Sequence, residues 1–237
     1  MRKTVQITAD LKKEYPNLTF SKESVSRFDQ YFEILLQWNQ KINLTAIQDP
    51  EQMIVKHLFD SLAVYKTAIG STLQSPFTGS VLDMGSGAGI PGILLLINNP
   101  SLHLLSVDKS NKKIGFQEFI KAKLKLINLH PISERLETMM ASHHHQDSLN
   151  FIVSRAFDQI KDIFGYSRFF LKSDGYLILW KGKEWQHELK QTPVEIQGSF
   201  KLLETCEYQF ERFNFGGTIL VFQKKRHALR PIRWNSF

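Results

Sequence analysis

Gly85, Gly87 and Gly89 alternate with Ser86 and Ala88, and Asp83 stands just ahead of them. These residue types hold ligands. Backbone without Cβ atoms turns sharply and approaches a bound group closely. Pro91 falls where a first helical turn tolerates a missing N–H, and the unpaired amides of such a turn favour an anionic group. Asp108 adds a carboxylate at a strand end, able to accept hydrogen bonds from two ribose hydroxyls. Gly87-x-Gly89-x-x-Gly92 also passes as a dinucleotide fingerprint. Asp83 favours S-adenosylmethionine over NAD: that cofactor lacks a pyrophosphate and would offer the helix end its amino-acid carboxylate.

The segments that position these residues read strand, glycine turn, helix, strand, a nucleotide-binding βαβ unit. Val81 to Met84 is the first strand; residues 93–97 are the helix, stopped by Asn98-Asn99-Pro100; residues 102–107 are the second strand. Ser110 caps a helix over 111–126, with Ile114, Phe119, Ile120 and Leu124 inward and Lys112, Lys113, Lys121 and Lys123 on its other face. Residues 128–132, 151–155 and 176–180 read as further strands. Ile160, Ile163, Phe164 and Leu171 mark a helix, and residues 172–175 a turn. Residues 200–210 and 217–223 alternate as two closing antiparallel strands. Upstream, residues 1–20 read as a loose arm with a short helix. Val25, Phe28, Phe32, Leu35 and Ile42 then give one helical face. Asp49-Pro50-Glu51 starts another helix, on which His57 and Asp60 face the same way, His57 as a helix-face residue bonded to a neighbour.

The expected fold is α/β and Rossmann-like, a mostly parallel seven-stranded sheet with an N-terminal helical extension. Residues 1–70 form the extension and 71–237 the sheet domain, in one compact unit. In such sheets ligands lie beyond the carboxyl ends of the strands. That places Leu136 and Glu137 beside an adenine ring, and Arg155 and Lys181 on the same side.

Of 237 residues, 42% are hydrophobic and 12% aromatic, which fits a folded core. No apolar run is long enough for a membrane span, and no export segment is expected. The lone Cys206 excludes an internal disulfide framework; the cytoplasm is the expected location. A net charge of +7 favours polyanionic partners. Lys224-Lys225-Arg226, with Arg230 and Arg233, forms a basic tail. His143-His144-His145 lacks the companion spacing of a zinc site and reads as a polar loop; no metal is expected.

The chain resembles the bacterial 16S ribosomal RNA guanine-N7 methyltransferases, also called glucose-inhibited division protein B. The matching pieces, in family order, are Trp38-Asn39-x-x-x-Asn43-Leu44-Thr45, His57-x-x-Asp60-Ser61-Leu62, the run Val81 to Gly92, Ser154-Arg155-Ala156-Phe157 and Lys181-Gly182. They cover roughly residues 30 to 185. The resemblance implies a class I methyltransferase sheet with a helical cap and S-adenosyl-L-methionine as cofactor. Gly85, Ile90, Leu136, Glu137 and Arg155 carry over as cofactor contacts, joining Ser86, Gly87, Gly89 and Asp108 of the glycine turn and strand end. Arg155, Lys181, Lys224 and Lys225 are the candidate RNA contacts. The partner would be 16S ribosomal RNA or the small subunit, and the chain a monomer. Where the family often has a Glu-Arg-His-like segment, this chain has Phe215-Gly216-Gly217-Thr218.

Guanine N7 carries a lone pair and no proton, so methyl transfer needs no general base. No catalytic residue is expected; positioning and desolvation carry the rate. The slot of an Asn/Asp-Pro-Pro-Tyr segment holds Ser154-Arg155-Ala156-Phe157 instead, and Cys206 sits in a strand away from the pocket loops, not as a nucleophile. The alternatives are a methyltransferase for another substrate, an NAD-dependent oxidoreductase and a non-catalytic RNA-binding scaffold.

Overall fold

The helical face marked by Phe28, Phe32 and Leu35 becomes the buried side of an 18-residue helix. In the computed structural model, which describes residues 4–16, 18–73 and 79–226, α1 (Thr4–Glu14) leads into this helix, α2 (Lys22–Asn39). Ser21 caps α2, its hydroxyl accepting from Ser24 N at 3.0 Å. Residues 1–20 are not a loose arm where described. Leu11, Tyr15 and Leu18 are buried, and Tyr15 donates its hydroxyl to Phe59 O at 3.0 Å. Their spacing of four and three is helical, although Tyr15 and Leu18 lie beyond the end of α1.

Asp49 caps the next helix as expected, accepting from Gln52 N at 2.7 Å. α3 (Pro50–Ile54) runs through a π-helical turn (Val55–Phe59) into α4 (Asp60–Leu62). The sheet region follows: β1 (Ser80–Met84), α5 (Gly92–Asn98), β2 (His103–Asp108), α6 (Asn111–Leu124), β3 (Leu129–Ser133), α7 (Leu136–Ala141), β4 (Leu149–Arg155), α8 (Ile160–Phe170), β5 (Leu171–Lys181), α9 (Trp185–Gln191), α10 (Val194–Gln197), β6 (Phe200–Phe210) and β7 (Phe215–Lys224).

The seven strands lie in the order β3-β2-β1-β4-β5-β7-β6. The five strands β1 to β5 are parallel, and β7 runs antiparallel between β5 and β6. Strand order reverses between β1 and β4, which opens a crevice beyond their carboxyl ends. Alternation sends Val81, Val153, Ile178 and Val221 to one face, where they join Phe28, Tyr31, Leu35 and Leu58 of the helical layer. Leu82, Ile152, Leu177 and Leu179 go to the other face, against α8. Burial on both faces explains the near-continuous apolar runs of β1 and β4.

Two local expectations fail. Leu171 is not the end of a helix but the first residue of β5, and residues 172–175 lie within that strand rather than in a turn before it. The register against β4 shifts between Leu149 and Phe151, and Asp174 takes a left-handed φ of 61°. On α6, Ile114, Ile120 and Leu124 are buried as expected, but Phe119 is 43% exposed and Phe116 and Gln117 are buried instead.

Candidate functional site

A cleft of about 400 Å³ opens at the carboxyl ends of β1, β2 and β4, lined among others by Gly85, Val107, Asp108, Leu136, Glu137 and Phe157. Gly85 lines it and begins the glycine turn, in which Gly85, Gly87 and Gly89 have φ of 66°, 58° and 82°, values costly for any residue with a Cβ. The three differ in surroundings. A Cβ on Gly85 would collide with the Phe157 ring, and one on Gly89 with Ile93. A Cβ on Gly87 would meet nothing within 4 Å.

Side chains from three elements brace the turn. Asp83, fully buried, accepts from Gly92 N at 2.8 Å through Oδ2, while its Oδ1 has no partner among the described residues. Burial pushes its pKa up to about 7. Gln117 donates to Ser86 Oγ and to Gly87 O, both at 2.9 Å. Tyr31 donates to Ala88 O at 2.8 Å. Neither Gln117 nor Tyr31 is signalled by sequence, since each reads as one more residue on a helix face. Ser86 and Ile90 are buried supports of the turn.

Asp108 closes β2 as expected. Its Oδ2 accepts from Gly87 N at 3.0 Å and its Oδ1 from Ser110 N at 2.9 Å, and Lys113 Nζ lies 3.8 Å from Oδ2. A carboxylate offers about four lone-pair positions, so two amide bonds leave acceptor capacity toward the cleft. Across the cleft, Leu136 is buried at the start of α7. Glu137 accepts from Tyr166 at 2.5 Å, and this bond lowers the Glu137 pKa.

Arg155 sits at the end of β4, outside the lining of the cleft, and its guanidinium engages the helical layer. Its Nη1 donates to Asp60 Oδ2 at 2.6 Å and to Lys56 O at 3.0 Å; its Nη2 donates to His57 Nδ1 at 2.9 Å. An acceptor Nδ1 leaves the proton on His57 Nε2, which reaches Thr45 Oγ1 at 2.9 Å. Burial first, then Arg155, lowers the His57 pKa to about 3. Asp60 also accepts from the Tyr208 hydroxyl, and its carbonyl accepts from Trp180 Nε1 at 2.7 Å. This network ties the π-helical turn to β4, β5 and β6.

Two of the expected RNA cations are likewise engaged. Lys181 Nζ donates to Glu188 at 2.6 Å and to Asp158 O at 2.8 Å. Lys224 belongs to β7, not to a tail. It is only 5% exposed and donates to Asp147, Arg168 O and Leu171 O at 2.6, 2.7 and 2.5 Å. Strand alternation turns it inward and Lys225 outward, and Lys225 is exposed. Arg230 and Arg233 lie outside the described residues. Residues 143–145 form a loop, and among the described residues no group of three His, Cys, Asp or Glu is placed to hold a metal ion. None of the described helices is long and apolar enough to cross a membrane.

The chain matches known methyltransferases. The family model for rRNA small subunit methyltransferase G matches residues 24–210. A ribosomal RNA small subunit methyltransferase G from Desulforamulus reducens is 32% identical over 94% of this chain and 92% of its own length. Its counterpart from Shewanella pealeana is 30% identical over 91% and 92%. Among solved structures, one from Galdieria sulphuraria, assigned as a sarcosine dimethylglycine methyltransferase, shares the fold with a TM-score of 0.55 at 11% identity, over 85% of this chain and 99% of its own. One from Methanococcus maripaludis, assigned as an S-adenosyl-L-methionine-dependent methyltransferase, does so with a TM-score of 0.51 at 16% identity, over 76% and 92%. The sheet is that of the class I methyltransferases, and by sequence the chain belongs to the rRNA small subunit methyltransferase G family.

Proposed function

We propose that this chain transfers a methyl group from S-adenosylmethionine to N7 of a guanine in 16S ribosomal RNA, free or within the small subunit. The observation that carries the reading is the cleft at the carboxyl ends of the parallel strands, with Gly85 of the glycine turn, Asp108 and Leu136 in its lining. The residues present fit the cofactor. Asp108 has acceptor capacity for a ribose diol. Val107 and Leu136 offer apolar surface for adenine. Gly85, which lines the cleft without a side chain, leaves room for the amino-acid end. Ser86, Gly89 and Ile90 shape the turn from behind.

When bound, S-adenosylmethionine supplies an electrophilic methyl group on a sulfonium. The chain's own residues orient the target and keep water out. Phe157, packed over Gly85 at the cleft mouth, is placed to do both. N7 needs no deprotonation, so positioning sets the rate. The reading includes a cytoplasmic monomer in which the extension (1–70) and the sheet domain (71–237) act as one unit, supported by the hydrophobic core that both share.

Mass mapping of 16S ribosomal RNA from a strain lacking this gene tests the proposal. One N7-methylguanine should vanish and return on complementation; an unchanged modification map overturns it. Calorimetry showing NAD binding in place of S-adenosylmethionine would overturn the cofactor.

A further inference from the structure

The Trp38-Asn39-x-x-x-Asn43-Leu44-Thr45 segment takes no part in the cofactor cleft, yet it is built with care. Asn39 Oδ1 accepts from Leu44 N at 2.9 Å and Thr45 N at 3.0 Å, and its Nδ2 donates to Thr45 O at 3.1 Å. Trp38 packs on Phe116 and Phe119 of α6, with ring centroids 5.6 and 5.4 Å away. Leu44 is buried. A rigid turn is thereby pinned against α6, and Gln40, Lys41 and Asn43 on it are exposed.

Between this turn and the start of α6 lies a groove of about 330 Å³, lined by Lys41, Ile42, Asn43, Leu44, Ser110, Lys112 and Lys113. Three of those residues are lysines and none is acidic. The ammonium groups of Lys41 and Lys112 make no ion pair or hydrogen bond with any described residue. Ser110 holds the N-cap position of α6 without a side-chain capping bond, so the positive end of a 14-residue helix also opens here. Lys113 lines both this groove and the cleft. The two cavities therefore meet at one side chain.

We propose that this groove seats the sugar–phosphate backbone of the RNA strand next to the target guanine, with Lys41 and Lys112 as phosphate ligands and Asn43 as a polar contact. A single base entering the cleft requires its flanking phosphates to cross an adjoining surface. With Arg155, Lys181 and Lys224 engaged internally, this groove carries uncommitted positive charge beside the cleft. The proposal rests on the reading that the cleft methylates RNA.

The test compares the full-length Lys41→Gln/Lys112→Gln variant with wild type and with Lys172→Gln/Lys201→Gln. The control pair is exposed at the opposite, amino-terminal edge of the parallel strands. Binding to 16S ribosomal RNA is measured against salt, and methylation against RNA concentration. For the groove variant, the slope of log affinity against log salt should fall by about 0.7 per lysine, and KM for RNA should rise about tenfold. Its kcat and its S-adenosylmethionine affinity by calorimetry should stay at wild-type values, and Lys41→Arg/Lys112→Arg should restore binding. The control should match wild type. A groove variant whose slope and KM match the control overturns the proposal while the methylation reading stands. Wild type that neither binds nor methylates the RNA overturns both.

Discussion

Gly85 and Gly87 share a left-handed backbone but differ in what a methyl group would meet. At Gly87 the methyl enters open space. Gly87→Ala should therefore cost only the backbone penalty, about 1 kcal/mol, while S-adenosylmethionine affinity drops at least about tenfold, or 1.4 kcal/mol. Gly85→Ala must also displace the Phe157 ring and should lose more stability. Urea unfolding and calorimetry read the two effects separately; unchanged affinity in Gly87→Ala would remove that residue from the cofactor surface. Lys224 and Lys225 make the opposite pair. Lys224→Ala removes a buried ammonium with three acceptors, one of them the Asp147 carboxylate, and should cost about 3 kcal/mol. Lys225→Ala should cost under about 0.5 kcal/mol. Neither Lys224 variant nor wild type should differ in RNA salt dependence, and a reduced slope for Lys224→Ala would contradict its internal role. The glycine turn was legible because its requirement is local. Lys224 was misread because three adjacent basic residues look like a tail, although the alternation of Phe222, Gln223 and Lys224 already points the lysine inward.

Helix caps, strand runs and the βαβ unit were legible for the same local reason: Asp49 accepting from Gln52 N is an event within four residues. The clamp between the helical layer and the sheet is not local. The shared face of His57 and Asp60 could be read from spacing, but Arg155 lies 95 residues from Asp60 and no local rule couples them. Arg155→Gln should leave the Asp60 carboxylate short of its cation in a buried site and cost about 3–5 kcal/mol. If the clamp acts as a unit, a cycle with Tyr208→Phe should give a combined loss smaller than the sum, since both residues serve the same carboxylate. Additive losses by urea denaturation would show two independent sites. The π-helical turn that carries His57 is the kind of helix irregularity that recurs near functional sites. Here it aims the backbone carbonyl of Lys56 and the side chains of His57 and Asp60 at one guanidinium.

Across the whole molecule, two buried groups give opposing pH responses. His57 titrates near 3 when folded against an ordinary 6.5, so the unfolded chain binds the extra proton and stability falls as pH drops through that window. Asp83 titrates near 7 against 3.8, so the folded chain holds the extra proton and stability falls as pH rises through its window. Where the windows overlap the two slopes oppose. Relative to wild type, His57→Gln should gain about 1.4 kcal/mol per pH unit as pH falls from about 6 to about 5, and Asp83→Asn should lose as much. Urea midpoints across that range check this, and parallel profiles would refute it. The sheet's parallel order was legible from alternating strands and helices, and its antiparallel end from two runs with no helix between them. That the last strand inserts between β5 and β6 was not, because both orders satisfy the same alternation. The insertion has a consequence for biosynthesis. Translation delivers β6 before β7, the strand it pairs with, so a nascent chain must carry β6 unpaired and the β5 edge bare until β7 clears the ribosome. During that interval the growing polypeptide is open to edge-to-edge aggregation, and chaperone protection would matter most there.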